Sequence, residues 1–343
     1  MDMRVLVAGG AGYVGSHVLR ALVAAGWEAV VLDNLSTGHA AAVARATGGR
    51  AELVVGNVGD CELVRDVLIS RKIDAVVHCA AASLVGESMA NPSKYWRNNV
   101  QEAIGLLDAM VLAGVDKIVF SSSAAVYGEP VAVPIEETHP KSPTSTYGMT
   151  KLAIEHMLQS YSAAHSMRCV SLRYFNAAGA DEPGDIGEAH NPETHLIPIV
   201  LQAALEQRAE VRVFGTDYDT PDGTCVRDYI HVSDLADAHV LALQRMHEME
   251  MSGRAARAEA FNLGSGTGFT VRQVIECARE VVGTEATIRA VDGQRRPGDP
   301  AVLVASSERA KSELGWAPRR TSLAEIVQSA WKWHRAHPHG YSG

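Results

Sequence analysis

The sequence predicts a doubly wound α/β fold, a parallel sheet with helices on both faces, joined to a smaller C-terminal α/β region. Three observations carry that expectation: short Val/Ile/Leu runs alternating with helix-period segments, a glycine turn straight after the first run, and an acid closing the second. The runs cover 4–8, 29–33, 53–58, 75–80, 117–121 and 169–174, with amphipathic stretches near 13–25, 60–71, 94–113 and 147–164 between them. Continuous apolar runs are the mark of strands buried on both faces, and the intervening helices provide the crossovers that parallel pairing needs. After Asn176 the texture changes. Residues 179–195 are polar, rich in Pro, Gly and Asp, and without apolar periodicity; helical character resumes near 197–207. A run at 226–232 and a helix-like 233–245 precede a short apolar run at 260–263 that ends in glycines, which points to a return to the first sheet. The expected division is therefore 1–177 plus about 230–266 for one unit, and 178–229 plus 267–343 for the other.

At 343 residues, 47% hydrophobic and 21% charged, the chain has the length of about two domains and an ordinary globular composition. No run of eighteen apolar residues could cross a bilayer. A net charge of −9, from 31 basic and 40 acidic residues, argues against nucleic acid or a membrane surface as partner, because a polyanion needs a basic face. The opening MDMRVLVAGG runs directly into glycines and reads as a buried strand, with no export signal. Cys61, Cys79, Cys169, Cys225 and Cys277 are scattered and never spaced as CxxC, so reduced thiols in a cytoplasm are expected, with neither disulfides nor zinc. His334, His337 and His339 near the C-terminus lack an acid or cysteine to complete a ligand set, and no metal is expected.

The glycine turn GGAGYVGSH places Gly9, Gly12 and Gly15 between the first strand and the first helix. The first glycine permits a tight turn, the second lets backbone approach a pyrophosphate, and the third allows close helix–strand packing with the helix N-terminus facing the anion. This is the Rossmann pattern. Asp33, at the end of the second strand, is placed to accept hydrogen bonds from an adenosine ribose 2′-hydroxyl; its charge would repel a 2′-phosphate, so NAD is favoured over NADP.

Tyr147 and Lys151 stand four residues apart in STYGMTKLAIEH, so on a helix their side chains share one face. A phenol is a poor base at neutral pH, and a neighbouring ammonium is expected to lower its pKa by favouring the phenolate. Ser123, ending the fifth strand in FSSSAAVYG, falls at the carboxyl edge of the sheet, where ligands of open α/β folds bind. Glycine turn, Asp33, Ser123, Tyr147 and Lys151 in this order describe a site for proton abstraction coupled to hydride transfer.

With these motifs the chain resembles the extended short-chain dehydrogenase/reductase family along essentially its whole length, and within it the UDP-glucose (UDP-galactose) 4-epimerase group. The matching stretches include VVLDNLSTG, VGESMANP, NNV, YGMTK, LRYFNAAGA, HLIP, DGTCVRDYIHVSDLADAH, FNLGSG, RRPGDPA and the closing HPHGY. The resemblance implies inversion of the C4 hydroxyl of a UDP-hexose with NAD that stays bound, through a 4-keto sugar that turns over in the site. Carried over residue by residue, it implies Tyr147 as base, Lys151 on the nicotinamide ribose and Ser123 on the C4 oxygen. It further implies cofactor contacts from Gly9, Gly12, Tyr13, Val14, Gly15, Asp33, Asn34, Asn57, Val58, Ala80, Ala81, Asn98, Ser121 and Tyr174. For the UDP-sugar it implies Asn176, His195 and Leu196 near the diphosphate, Phe214 at the uracil, Arg227 and Arg296 on the pyrophosphate, Asp299 on the uridine ribose, and Leu303 at the sugar pocket. A homodimer joined through helices near 94–113 and 147–164 is also implied.

The chain departs from the family pattern at several positions. Asn57 stands where many members carry an acid, although its carbonyl can accept the same adenine hydrogen bond. Ser83 replaces a lysine near the cofactor, Ala125 a threonine, and His195 an asparagine. Leu303 replaces a large tyrosine that excludes N-acetylated sugars, which implies partial acceptance of UDP-N-acetylhexosamines. A sugar-nucleotide 4,6-dehydratase would need an acid/base pair where this chain has Ala124 and Ala125. Epimerases of UDP-GlcNAc, UDP-pentoses or UDP-glucuronate share the remaining motifs, and a non-catalytic NAD-binding regulator is disfavoured by the intact Tyr147.

Overall fold

The computed structural model describes residues 3–283, 287–296 and 299–341. In the first half, strands and helices alternate. They run β1 (Arg4–Ala8), α1 (Tyr13–Ala24), β2 (Glu28–Asp33), α2 (Ala40–Thr47), β3 (Glu52–Val55), α3 (Cys61–Ser70) and β4 (Ala75–His78). Short helices α4 (Val85–Ala90) and α5 (Pro92–Tyr95) lead through a π-helical turn (Trp96–Gln101) into α6 (Glu102–Ala113). There follow β5 (Lys117–Ser123), α7 (Thr146–His165) and β6 (Arg168–Tyr174). The second half contributes β7 (Asn176–Ala178), α8 (Leu196–Ala204), β8 (Val211–Phe214), β9 (Val226–His231), α9 (Val232–Met251) and β10 (Ala258–Leu263). It ends with β11 (Gly268–Thr270), α10 (Val271–Val282), β12 (Ala290–Gly293), β13 (Val302–Leu303), α11 (Glu308–Leu314) and α12 (Leu323–Ala336).

The main sheet is seven-stranded and parallel, in the order β10-β6-β5-β4-β1-β2-β3. Strand order reverses between β1 and β4, and at such a switch point the loops leaving adjacent strands diverge to opposite faces and leave a crevice for a ligand. Residues alternate between faces: Val5, Val7, Val31, Val77 and Val119 pack under α1 and α9, while Leu6, Ala8, Leu32, Val76 and Ile118 pack under α3, α6 and α7. The return of the chain after Asn176 adds β10 to the open edge beside β6, with Phe261 paired to Leu172.

The smaller unit is built on a four-stranded sheet in which β9 pairs with β7, β11 and β13, and on a two-stranded ribbon of β8 and β12. Helices α8, α10 and α12 close over a second core that includes Ile197, Val211, Tyr229, Val274 and Ile326. The expectation that 267–343 joins this unit throughout is corrected: Ala310, Leu314 and Trp316 on and after α11, with Trp333 and Tyr341, pack into the core of the larger sheet. Trp316 donates its indole N–H to the Asp234 carbonyl on α9 at 2.8 Å, so the C-terminal segment straps the two units together. The 94–113 stretch is interrupted by the π-turn, and the third strand stops at Val55, short of the expected 58.

Candidate active site

The glycine turn is forced by packing at two of its three glycines. A side chain on Gly9, whose φ is +81°, would lie 2.4 Å from the Ala80 nitrogen, and one on Gly15 would lie 2.1 Å from the Gly9 carbonyl oxygen. Gly12 is different: its missing Cβ meets only the Gly9 oxygen at 3.4 Å, so the turn leaves open space there. Gly12 is also the N-cap of α1, with no side-chain cap and no acid in the first turn, so the helix N-terminus presents free N–H groups to an anion. Asp33 is buried and its carboxylate is oriented by two backbone donors, Ala11 N at 2.9 Å and Leu35 N at 2.8 Å. Turn, uncapped helix and aimed carboxylate fit the pyrophosphate and ribose of a dinucleotide. Tyr13 and Val14 open α1 and Ala80 and Ala81 follow β4, so these four flank the switch point, while Val58 follows the edge strand β3. Asn34 and Asn57 are exposed and hydrogen-bonded to each other at 2.9 Å, the Asn34 amide donating to the Asn57 carbonyl assigned to adenine.

Tyr147 and Lys151 sit on the first turns of α7, whose N-cap Ser145 accepts from Gly148 N at 3.1 Å. Gly148 lets the helix close on the loop after β5: a Cβ there would lie 2.4 Å from the Ala125 oxygen. Ser123 lies close enough to the Tyr147 phenol to favour its ionised form, and the Lys151 ammonium donates to the Ser121 carbonyl at 2.7 Å while standing 5.7 Å from the centre of the Tyr147 ring. Ser123 is also the register partner of Tyr174, which brings four predicted residues to one sheet edge. The expected lowering of the phenol by Lys151 is not found in the free protein. Burial pushes Tyr147 up to about 12, only partly offset by Ser123, and burial likewise pulls Lys151 down to about 8.

Behind α7 a buried network holds the helix in place. Glu155 takes two hydrogen bonds from Arg173, at 2.8 and 2.6 Å, and one from Ser122 at 2.6 Å. Arg173 extends the chain to the Tyr127 hydroxyl at 2.8 Å, which donates to Asn262 on β10 at 2.6 Å. Asn99 is another positioning residue that sequence reasoning passed over. Buried on the π-turn beside Asn98, it accepts from Ala82 N at 2.8 Å and donates to the Ala82 carbonyl and to Thr150 on α7, joining the loop after β4 to the helix of Tyr147 and Lys151. The NNV stretch was a sufficient signal, because a polar residue in an otherwise apolar helical pattern must find buried partners.

The second group of predicted residues lies on the smaller unit. Arg227 on β9 is the register partner of both Phe269 and Leu303, and its guanidinium pairs with the Asp299 carboxylate. Arg296 lies over the Phe214 ring, 4.0 Å from ring centre to guanidinium carbon. Leu303 packs on the cluster of Ala124, Val126, Tyr127 and Phe175, and Asn176 begins β7 two residues after Tyr174. Thus Leu303 and Asn176 join the two groups. His195 is the N-cap of α8, immediately before Leu196, but its ring turns to Glu188 and Glu193 at 2.7 and 3.0 Å, partners the sequence reading did not foresee.

Fold and site together define an NAD-dependent enzyme of the short-chain dehydrogenase/reductase type, and comparison with known proteins agrees. The model of the NAD dependent epimerase/dehydratase family matches residues 5–264, and the chain belongs to that family. NAD is its cofactor. Among its relatives, the UDP-glucose 4-epimerase of Halalkalibacterium halodurans is 52% identical over 340 residues, covering 99% of this chain and 98% of the relative. A solved UDP-glucose 4-epimerase from Bifidobacterium longum, in complex with NAD+ and UDP, superposes with a TM-score of 0.93 at 37% identity, covering 99% of this chain and 100% of that one. The UDP-Glc/GlcNAc 4-epimerase of Campylobacter jejuni superposes with a TM-score of 0.83 at 38% identity, covering 97% of this chain and 99% of that one.

Proposed function

We infer that this protein interconverts UDP-galactose and UDP-glucose by inverting the sugar at C4 through a 4-keto intermediate, with no net redox change. The observation that carries the reading is the grouping of half-buried Ser123 at the end of β5 with buried Tyr147 and Lys151 on α7, in a chain so similar to UDP-glucose 4-epimerases over its full length. NAD supplies a reversible hydride acceptor. Tyr147 takes the C4 hydroxyl proton and returns it, Ser123 holds the C4 oxygen, and Lys151 holds the nicotinamide ribose. A phenol at about 12 is protonated, so it must be drawn down before it acts as a base; the charge that Lys151 carries below about pH 8 works in that direction.

On the substrate side we assign the diphosphate to Arg227, Arg296, Asn176, His195 and Leu196, the uracil to Phe214 and the uridine ribose to Asp299. Arg227 and Asp299 pair with each other in the free protein, so a UDP-sugar exchanges that ion pair for contacts of its own. Residues 1–177 with about 230–266 then form the cofactor unit, and 178–229 with much of 267–343 the sugar-nucleotide unit. No helix among the described residues is long and apolar enough to cross a membrane. A role in galactose metabolism in the cytoplasm, as a homodimer, accords with this reading. Trp96, Ile104, Leu112 and Met149 expose apolar surface along the π-turn, α6 and α7, the face assigned to the dimer, and light scattering at the mass of one chain would refute it.

The deciding experiment mixes the purified protein with UDP-galactose, without added cofactor, and follows the anomeric protons by NMR. Appearance of UDP-glucose supports the reading. Conversion only after NAD is added locates weak retention at Ser83, and no conversion in either case rejects it. Leu303, half-buried against Ala124 and Phe175, favours a second activity on UDP-N-acetylhexosamines. No turnover of UDP-GalNAc under conditions that convert UDP-galactose would remove it.

A further inference from the structure

The connection from β7 to α8 is anchored in the larger core by Ala180 and Ile186, and it also buries two glutamates. Glu188 and Glu193 are 3% and 6% exposed. Both face the same two imidazoles. His195 Nδ1 lies 2.7 Å from Glu188 and 3.0 Å from Glu193, and His190 Nδ1 lies 3.0 and 3.7 Å from the same two acids. The four ligand atoms, one from each residue, lie within 4.8 Å of one another.

Two desolvated carboxylates this close repel each other and demand positive charge. In the free protein both imidazoles turn Nδ1 to the two acids. A divalent cation meets the same demand with both imidazoles neutral, because two carboxylates balance its charge.

We propose that Glu188, His190, Glu193 and His195 form a structural zinc site that fastens the β7–α8 connection. Tetrahedral Zn²⁺ with bonds of about 2.0–2.1 Å sets its ligands roughly 3.3 Å apart, inside the span of the observed separations. The donor set of two nitrogens and two oxygens suits zinc, whereas magnesium and calcium prefer oxygen alone. With four protein ligands no coordination position remains open, so the site is structural and not catalytic.

The placement gives the site work to do. His190 meets Tyr13 of the glycine turn edge-on at 6.2 Å, and the Tyr13 hydroxyl donates to the Gly179 carbonyl at 2.7 Å, where the same connection starts. Trp333 on α12 donates to the Glu188 carbonyl at 3.0 Å. Metal at this point ties the dinucleotide turn, the C-terminal helix and the start of α8 together. With Nδ1 on the metal, Nε2 of His195 stays available to the diphosphate.

The test uses untagged full-length protein, purified without chelators. Elemental analysis after dialysis against micromolar Zn²⁺ is expected to give about one zinc per chain, and a strong chelator is expected to remove it and lower the melting temperature. Titration against a chromophoric chelator is expected to show binding weakened more than about 100-fold in His190→Ala. Replacement of zinc by Co²⁺ provides a check independent of variant folding, since a tetrahedral site gives strong visible absorption. Less than about a tenth of a zinc per chain with no chelator effect on melting overturns the proposal. So does stoichiometric binding that His190→Ala leaves unchanged.

Discussion

The cofactor side and the sugar-nucleotide side of the site are prepared for their ligands in opposite ways. Around the switch point Asp33, Lys151 and α7 are held by backbone or by buried neighbours. Asp33 is aimed by two main-chain N–H groups, Lys151 is tied to the Ser121 carbonyl, and α7 is braced by Glu155 and Arg173. On the smaller unit the functional cations occupy themselves. Arg227 pairs with Asp299, and Arg296 covers Phe214. The first region is a rigid cradle whose geometry exists before any ligand arrives; the second is a set of mutual contacts that a ligand must exchange for its own. Preorganisation suits a cofactor that stays, and exchangeable charge suits a substrate that must leave.

Four experiments sharpen or break this contrast. Replacing Tyr147 by Phe removes the proposed proton acceptor while leaving the cradle, so kcat should fall about 10²–10⁴-fold with UDP-sugar affinity and bound NAD nearly unchanged. Conversion followed by NMR, together with the cofactor released on denaturation, checks both halves; unchanged biological activity would instead favour a regulator. Glu155→Ala strands the buried Arg173 guanidinium and should destabilise the protein by about 3–5 kcal/mol in urea denaturation. A loss under about 1 kcal/mol would show that the brace behind α7 contributes little.

Arg227→Ala tests the exchangeable side. It should raise the KM for UDP-galactose roughly 10–100-fold, with a smaller change in kcat, because guanidinium contacts to a diphosphate are made before and during the reaction. If kcat falls and KM does not, the residue acts on the chemistry and the contrast fails. The smallest effect is expected from Lys151→Met on stability. Because the Lys151 pKa is lowered to about 8 in the folded state against about 10.4 unfolded, the folded protein binds fewer protons between those values. Wild-type stability therefore rises with pH across that window, and the cost of burying the charged amine is complete below pH 8. The cofactor-free variant should gain roughly 1–2 kcal/mol over wild type near pH 7, and the gain should shrink as pH approaches 10 while activity is lost. Parallel stability curves would refute the lowered pKa.

Legibility differed between the same two regions. Strands β1, β2, β4, β5 and β6 could be read from their Val/Ile runs because each is buried on both faces, and the glycine turn because Gly9 and Gly15 have no steric alternative. Tyr147 and Lys151 were visible through helical spacing. The smaller unit was visible mostly through resemblance, since its strands are two to six residues long and its helices share their cores with distant segments. Trp316 and Tyr341 illustrate the limit: nothing local tells a C-terminal aromatic which of two cores it will fill. The alternation of acids and imidazoles from Glu188 to His195 was present in the sequence, but its convergence depends on how the connection folds back on itself.

Periodicity, turn chemistry and motif order determine from sequence alone the parallel sheet, the dinucleotide turn with its preference for NAD, and the shared helix face of Tyr147 and Lys151, on which the proposed proton transfer rests. They are local, and each follows from sterics or spacing within a few residues. Only the tertiary structure decided the protonation balance of the site, the pairing of Arg227 with Asp299 and the meeting of Glu188, His190, Glu193 and His195. Those depend on desolvation and on distances between segments remote in the chain, and electrostatic energies follow burial and separation in space and not order along the sequence.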